Sequence, residues 1–204
     1  MESCIVQINP DWVWSEFKNF LMRGIIFLLL MTSFSTYSQH HHEATTEKKS
    51  PQVVIFMAVD CPITQKYMTS IKEIASQFAE KQVSVTGYFP AGLSKKQEGE
   101  FRSEYQIPKL IRLVDDKKHE WTDKLNAKVT PEVFVISNDQ VVYRGAIDNW
   151  FYELGRYRLE ITDHYLIDAI NASLEGRKPA VTETEALGCF IQRSEKKSEH
   201  EHHH

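Results

Sequence analysis

The chain has 204 residues, of which 42% are hydrophobic and 25% are charged. This composition is typical of a globular protein, and the length suits one domain with a hydrophobic core. The formal net charge of −4 provides no basic surface for a polyanion, which argues against nucleic acid as a partner.

Residues 1–38 predict a secretory signal that is separate from the fold. Arg23 precedes an apolar run over residues 24–34, and the small residues Thr36 and Ser38 have the spacing that signal peptidase recognises. We expect cleavage near Ser38, export to the periplasm or envelope of a bacterium, and no membrane span after cleavage. The apolar run is about half the length that crosses a bilayer, and an uncleaved anchor is the alternative.

Removal of this segment takes away Cys4 and leaves two cysteines, Cys61 and Cys189. A disulfide can persist in an oxidising compartment outside the cytosol. The two remaining cysteines are therefore the main chemical clue in the sequence.

The first elements of the domain follow a polar segment without periodicity at residues 39–52, which predicts a linker. The stretch VVIFMA at 53–58 is apolar and rich in β-branched residues, as in a parallel strand buried on both faces. From Pro62 to about Lys81 the apolar residues recur at helical spacing. The sequence therefore predicts that strand changes to helix at Cys61.

The middle of the chain continues this alternation of strands and helices. Residues 83–89 alternate as a strand does, and a helix follows with Ser94 and Gln97 at capping-box spacing. Beyond that helix we expect a short strand at 109–116 and a short helix at 119–127.

The last part of the domain predicts a β-hairpin and a helix. The segments PEVFVIS at 131–137 and VVYRGAI at 141–147 are two strands separated by three residues. A helix is predicted over 163–175, with Gly176 at the position of a C-terminal cap.

These elements define an α/β domain over residues 53–176, ordered β-α-β-α, an irregular insert, then β-β-α, followed by a tail over residues 177–204. The segments VDCPIT, VTPEVFVIS, VVYRGAIDN and LGCFI together resemble the thioredoxin-like superfamily. They are most similar to exported redoxin-domain proteins of the thiol-disulfide oxidoreductase and peroxiredoxin-like branch. The resemblance implies a thioredoxin-like fold, in which helices flank a central mixed β-sheet.

The resemblance also implies a cis peptide bond before Pro131, close to the reactive cysteine. Two departures from the familiar patterns are visible. Thr64 stands where a dithiol thioredoxin has its second cysteine, and Ala58 stands where ordinary peroxiredoxins have a threonine. Neither standard catalytic cycle therefore transfers whole to this chain.

Cys61 is expected at the start of the first helix, where unpaired backbone N–H groups and the helix dipole favour an anion. Pro62 suits the first helical position. These features favour the nucleophilic thiolate, whereas the charge of Asp60 opposes it, and the sequence leaves the net shift of the pKa open. The alternative is a buried, inert cysteine.

Cys189 lies 128 positions after Cys61, beyond the last predicted helix. A flexible tail can return a distant thiol to the active site, because the cost of loop closure grows only logarithmically with length. We predict that Cys189 is the resolving cysteine for an oxidised Cys61. A permanent disulfide between the two residues and an unpaired apolar cysteine are the alternatives.

Three neighbours complete the predicted site. Thr64 falls one turn after Cys61, where its hydroxyl either donates to the thiolate or helps to cap the helix. The resemblance implies that Pro131 shapes a groove in which a partner peptide or thiol lies beside Cys61, and the alternative is that it only marks a turn. Thr130 and Pro62 are the predicted substrate-binding residues of this groove.

Two sets of residues late in the domain have less specific interpretations. Three arginines can supply positive charge near the sulfur, although surface solvation is the simpler explanation: Arg144, Arg156 and Arg158. Four aromatic residues are expected to cover the core rather than to bind a cofactor: Trp150, Phe151, Tyr152 and Tyr157.

Histidines are concentrated near both ends of the chain and can bind zinc or copper in the envelope. An appended tag is the other interpretation of the C-terminal run, and the predicted thiol chemistry requires no cofactor. The candidate ligands are His40, His41, His42, His202, His203 and His204.

The sequence therefore predicts an exported thiol-based oxidoreductase with Cys61 as nucleophile and Cys189 as resolving cysteine. Its partner is a thiol or disulfide protein, or a hydroperoxide together with a thiol reductant. The alternative is a non-catalytic redoxin-fold module for binding or metal handling, in which the two cysteines form a structural disulfide.

Overall fold

The computed structural model describes residues 49–193. The predicted signal segment, most of the predicted linker and both histidine-rich ends lie outside these residues. Within residues 49–193, no helix is long and apolar enough to cross a membrane.

Nine strands and four α-helices form the described part of the chain. The strands are β1 (Gln52–Phe56), β2 (Ser84–Phe89), β3 (Ile111–Asp115), β4 (Val129–Thr130), β5 (Glu132–Ser137), β6 (Gln140–Gly145), β7 (Phe151–Glu153), β8 (Arg156–Tyr157) and β9 (Cys189–Phe190). The helices are α1 (Pro62–Gln77), α2 (Lys95–Tyr105), α3 (Glu120–Leu125) and α4 (Tyr165–Leu174).

The central sheet is mixed, with the strand order β3-β2-β1-β5-β6. Strand β2 pairs in parallel with β1 and β3, whereas β5 pairs antiparallel with β1 and β6. The parallel strands come from the β-α-β units, and the antiparallel pair comes from the late hairpin. This arrangement is the thioredoxin-like fold that the resemblance implied.

Strand β1 is buried on both of its faces. Val53 and Ile55 belong to the larger core cluster, which includes residues of α1, α2 and α4. Val54 and Phe56 belong to the smaller cluster, which includes Leu125 of α3. Because successive side chains of a strand point to opposite faces, the helices cover the sheet from both sides.

Helix α1 buries the apolar stripe that the sequence predicts, but it ends earlier than expected. The helix stops at Gln77, and a short 3-10 helix over Ala79–Lys81 follows. Phe78 is fully buried between them, and Gln82, with a left-handed φ of 58°, redirects the chain towards β2. The predicted end of this helix at Lys81 is therefore too late, because the last turn belongs to the separate 3-10 helix.

The predicted helix ends are confirmed at two other places. Ser94 accepts a hydrogen bond from the backbone N–H of Gln97, and the Gln97 side chain accepts from the backbone of Ser94, which is a complete capping box. Gly176 follows the C-cap of α4 with a φ of 75°. Gly176 also donates its N–H to the carbonyl of Ser173 at 3.0 Å.

The segment between β6 and α4 contains a small hairpin, β7-β8, that the sequence pattern did not predict. Phe151 is buried, but Tyr152 and Tyr157 are each about half exposed. The expectation that all these aromatic residues cover the core is therefore wrong for Tyr152, whereas the ring of Tyr157 packs against those of Trp150 and Phe151. In this short hairpin, Tyr152 follows Phe151 directly and so faces away from the core.

The described part of the tail is packed against the domain instead of extending freely. The backbone N–H of Arg144 donates to the carbonyl of Thr182, and the N–H of Thr184 donates to the carbonyl of Arg144, each at 3.0 Å. Further along, β9 pairs with β4. The tail therefore runs beside β6 and then crosses the edge of the domain near Cys61.

We expect Phe89→Ala to lower the free energy of unfolding by about 3–5 kcal/mol, because it leaves a cavity in the core. Phe89 is fully buried at the end of β2, and its ring makes an edge contact with Phe101 at a centroid distance of 5.6 Å. Urea unfolding measures the change. Leu159→Ala is the control, since Leu159 is fully exposed and its loss should cost less than about 0.5 kcal/mol. Equal losses for the two variants would contradict this core assignment.

Candidate active site

Cys61 lies at the junction of β1 and α1, at the N-cap position of the helix. Its carbonyl accepts the first helical hydrogen bond from the N–H of Gln65 at 3.0 Å, and Pro62 occupies the first helical position. The Cys61 side chain is only 1% exposed. The buried sulfur therefore sits among the free N–H groups at the start of α1, as the sequence predicts.

The tail brings Cys189 directly onto Cys61. The two Sγ atoms are 2.8 Å apart, and both cysteines are free thiols. A disulfide bond is about 2.05 Å long, so only a small movement separates this contact from a covalent bridge. Cys189 is exposed whereas Cys61 is buried. The exposed residue of the pair therefore directs its sulfur at the buried one.

The Thr130–Pro131 peptide bond is cis, as the resemblance implied, and it lies against the cysteine pair. The Cys61 thiol donates to the carbonyl oxygen of Thr130 at 2.9 Å. Thr130 is also the strand partner of Cys189, and its hydroxyl donates to the Cys189 carbonyl at 3.4 Å. The structure thus brings together four of the predicted site residues around one sulfur.

Hydrogen bonds lower the pKa of Cys61 below its ordinary value. Burial by itself raises the pKa, but donors to the sulfur outweigh it. These donors are the Cys189 thiol, the backbone N–H and hydroxyl of Thr64, and the backbone N–H of Cys189. The start of α1 therefore stabilises a thiolate at this position.

The second thiol shifts in the opposite direction. Burial, the hydrogen bond that its thiol donates to Cys61, and the negative charges of Cys61 and Asp60 together raise the pKa of Cys189 to about 12. The sequence predicted that the charge of Asp60 opposes a thiolate at Cys61, but this charge raises the pKa of Cys189 instead. Of the two sulfurs, that of Cys61 therefore becomes a thiolate at the lower pH, while Cys189 keeps its proton.

Thr64 is fully buried in the first turn of α1, and its hydroxyl makes no hydrogen bond with the described residues while Cys61 is a thiol. It acts as a donor to the Cys61 sulfur in the thiolate form, and so lowers the pKa. While Cys61 is a thiol, its proton is directed at Thr130 and its sulfur is a weak acceptor. A thiolate is a strong acceptor and would satisfy the buried hydroxyl.

The other predicted site residues lie further from the sulfur pair. Pro62 is exposed beside Cys61. Arg144 is ion-paired with Glu132 at 2.9 Å, and its guanidinium packs over the ring of Phe134. The remaining two arginines contact other residues. Arg156 forms an ion pair with Glu153, and the side chain of Arg158 donates a hydrogen bond to the carbonyl of Asn149.

Two positioning residues escaped the sequence analysis. Gly188 lies so close to Thr130 that a Cβ atom there would be 2.2 Å from the Thr130 carbonyl oxygen. Glu132 is 4% exposed and accepts from the N–H of Lys128 at 2.6 Å, which fixes the chain just before Thr130. The signals were present in the sequence, as a glycine beside the tail cysteine and a carboxylate inside a buried strand.

Tyr67 and Asp148 form a buried hydrogen-bonded pair beside a cavity that Pro131 also lines. The hydroxyl of Tyr67 donates to Asp148 at 2.6 Å, and the N–H of Trp150 donates to the same oxygen at 2.8 Å. Burial and the contact with Asp148 raise the pKa of Tyr67 far above its ordinary value. Tyr67 and Asp148 line a small cavity together with Pro131 and Leu187.

Residues 49–193 contain no group of three or more histidine, cysteine or acidic side chains placed to hold a metal ion. The histidines that the sequence offers as zinc or copper ligands, at positions 40–42 and 202–204, lie outside these residues.

Neither a protein-family model nor a curated protein matches the chain. An uncharacterized conserved protein from Geobacillus kaustophilus has a similar structure, with a TM-score of 0.62 and 21% identity over 72% of this chain and 79% of that chain. A hypothetical protein from Sinorhizobium meliloti also has a TM-score of 0.62, with 19% identity over 73% of this chain and 82% of that chain. At such identities the likeness shows a shared fold alone.

A weaker structural match is a secreted disulfide oxidoreductase from Mycobacterium tuberculosis, with a TM-score of 0.41 and 14% identity over 62% of this chain and 81% of that chain. A match of this quality indicates no activity for the present chain.

We predict that Thr64→Val raises the pKa of Cys61, because it removes a donor to the thiolate. The lowered pKa of the native thiol means that the thiolate persists to lower pH than in a free cysteine. A hydrogen bond to a charged group contributes about 1.5–3 kcal/mol, so the midpoint of the pH profile for alkylation of Cys61 should rise by about one pH unit or more. Iodoacetamide labelling across pH, read at Cys61 by mass spectrometry, measures this midpoint.

The matched control for this experiment is Thr86→Val, an equivalent change on β2 at a residue that is not among the donors to Cys61. It should leave the pH profile of labelling unchanged. An identical profile for Thr64→Val would show that the hydroxyl only helps to pack the helix.

Proposed function

We propose that the protein is an exported thiol oxidoreductase that cycles Cys61 and Cys189 between two thiols and a disulfide. The observation that carries the proposal is the 2.8 Å contact between two free thiols whose pKa values are shifted in opposite directions. An oxidising compartment suits this chemistry, and the signal-like sequence before the domain supports that location.

Cys61 is the nucleophile of the first step, because it holds the thiolate at lower pH than Cys189 does. With a disulfide substrate, the Cys61 sulfur attacks one substrate sulfur and the other leaves as a thiolate. With a hydroperoxide, the Cys61 sulfur attacks an oxygen, the O–O bond breaks, and Cys61 becomes a sulfenic acid. By either route, the later formation of the Cys61–Cys189 disulfide completes a two-electron oxidation of the thiol pair.

Cys189 resolves the oxidised Cys61 in the second step. Its sulfur attacks that of Cys61, a disulfide forms, and the substrate thiol or water leaves with the Cys189 proton. Before the first step the Cys61 thiolate helps to keep Cys189 protonated. Oxidation of Cys61 removes that negative charge, which lowers the pKa of Cys189 and makes it a better nucleophile for the second step.

Reduction of the disulfide is expected to begin at Cys189. A reducing thiol reaches the exposed Cys189 more readily than the buried Cys61. Cys61 is also the better leaving group, since thiols of lower pKa leave faster. A second reducing thiol then releases Cys189, and the reductant leaves as a disulfide.

We expect the Cys61–Cys189 bridge to form after one equivalent of oxidant and to disappear again under mild reduction. The test is to alkylate the protein before and after reduction, and again after oxidation, and to map both cysteines by mass spectrometry. Bridging should keep pace with substrate turnover. A bridge that resists mild reductant, without turnover, would establish a structural disulfide instead.

Substitutions separate the roles of the two cysteines. Cys61→Ser should abolish turnover, whereas Cys189→Ser should leave an adduct or sulfenic acid trapped on Cys61. Thr86→Val, a change at a buried residue on β2, is the control and should leave the bridging unchanged. Full activity of Cys61→Ser would overturn the proposal.

A further inference from the structure

The tail is anchored to the domain on both sides of the site. Before the site, the Thr184 hydroxyl accepts a hydrogen bond from the N–H of Ala146 at 2.9 Å and contacts the hydroxyl of Tyr143 at 2.7 Å. After the site, the N–H of Ile191 donates to the carbonyl of Lys128 at 3.0 Å. The segment between these anchors is therefore held across Cys61.

Glycine is required where the tail crosses the cis peptide bond. A Cβ atom at Gly188 would lie 2.2 Å from the carbonyl oxygen and 2.6 Å from the carbonyl carbon of Thr130, both of which are rigid backbone atoms. Any other residue would push the tail away. The close approach at Gly188 is what allows Cys189 to pair with Thr130 in antiparallel register.

This pairing occupies the backbone edge of β4 next to Cys61. An extended polypeptide can bind beside a strand only by using such an edge for its own hydrogen bonds. Here the edge carries β9, so a polypeptide disulfide must displace the tail before it reaches Cys61. The tail thus holds the place that an extended substrate would take.

A smaller opening remains beside the sulfur pair. A cavity of about 200 Å³ is lined by Asp60, Ala91, Thr130 and Cys189, and so reaches both residues that contact the Cys61 sulfur. The sulfur itself is almost fully enclosed. A mixed disulfide would need room for a second sulfur and its carbon chain, whereas a sulfenic acid adds one oxygen atom.

From these contacts we propose that the docked tail determines substrate specificity. It leaves Cys61 accessible to small hydroperoxides and blocks the approach of polypeptide disulfides. The inference rests on the proposed function and names its substrate class. The Cys61 thiolate attacks the hydroxyl oxygen of the hydroperoxide, and the O–O electron pair leaves with the alkoxide, which takes a proton from water. Cys189 then attacks the sulfenic sulfur, water leaves, and a dithiol reductant restores both thiols while becoming a disulfide.

The test compares the full-length protein with Gly188→Val, using hydrogen peroxide and insulin as oxidants and dithiothreitol as reductant. The native protein should consume hydrogen peroxide and should reduce insulin at least about tenfold more slowly than Gly188→Val, because polypeptide access depends on the open fraction. Gly188→Val should still form sulfenic acid at Cys61 but resolve it slowly. Gly99→Ala is the matched glycine control, since a Cβ atom there meets nothing within 4 Å.

Thr184→Ala provides a second route to an open tail, should Gly188→Val fail to fold. It removes an anchor on the far side of the tail and leaves the crossing at Thr130 unchanged, so insulin reduction should rise to an intermediate rate. Native protein that reduces insulin as fast as both variants, or that bridges with insulin and not with hydrogen peroxide, overturns the inference while the proposed function stands. Absence of a reversible bridge with either oxidant overturns the proposed function itself.

Discussion

The contact between the tail and the Thr130–Pro131 peptide bond is the constraint on which the site depends. Gly188 approaches the Thr130 carbonyl more closely than any residue with a Cβ atom could. The pairing of Cys189 with Thr130 then sets the tail sulfur 2.8 Å from that of Cys61. The central sheet positions only the first cysteine, and the tail supplies the second.

The two cysteines differ because their surroundings differ. Cys61 is buried at the start of a helix, where donors converge on its sulfur, and its pKa is lowered despite the burial. Cys189 lies on a two-residue strand at the surface, but its thiol is partly desolvated and donates a hydrogen bond to Cys61, so its pKa is raised. Two chemically identical side chains therefore differ in reactivity and in access. Cys61, inside the protein, is the better nucleophile, and Cys189 is the residue that solvent can reach.

Local patterns in the sequence were enough to predict much of the sheet, the strand-to-helix junction at Cys61 and the capping box at Ser94. Each of these depends on residues that are neighbours along the chain. The packed course of the tail could not be predicted, because its contacts join residues far apart in sequence and leave no local period. Arg144 illustrates the same limit, since its ion pair with the buried Glu132 is visible only after β5 and β6 are paired.

The tail creates an opposition between two requirements of thiol chemistry. In the proposed cycle, holding Cys189 against Cys61 raises the effective concentration of the resolving thiol, which would shorten the life of an oxidised Cys61 and limit its overoxidation. The same docking fills the strand edge that a polypeptide substrate would use. Fast resolution and polypeptide access therefore compete for one surface. A thioredoxin-like domain with both cysteines in one helical turn avoids this competition, whereas a chain with Thr64 in that position and its second thiol on the tail does not.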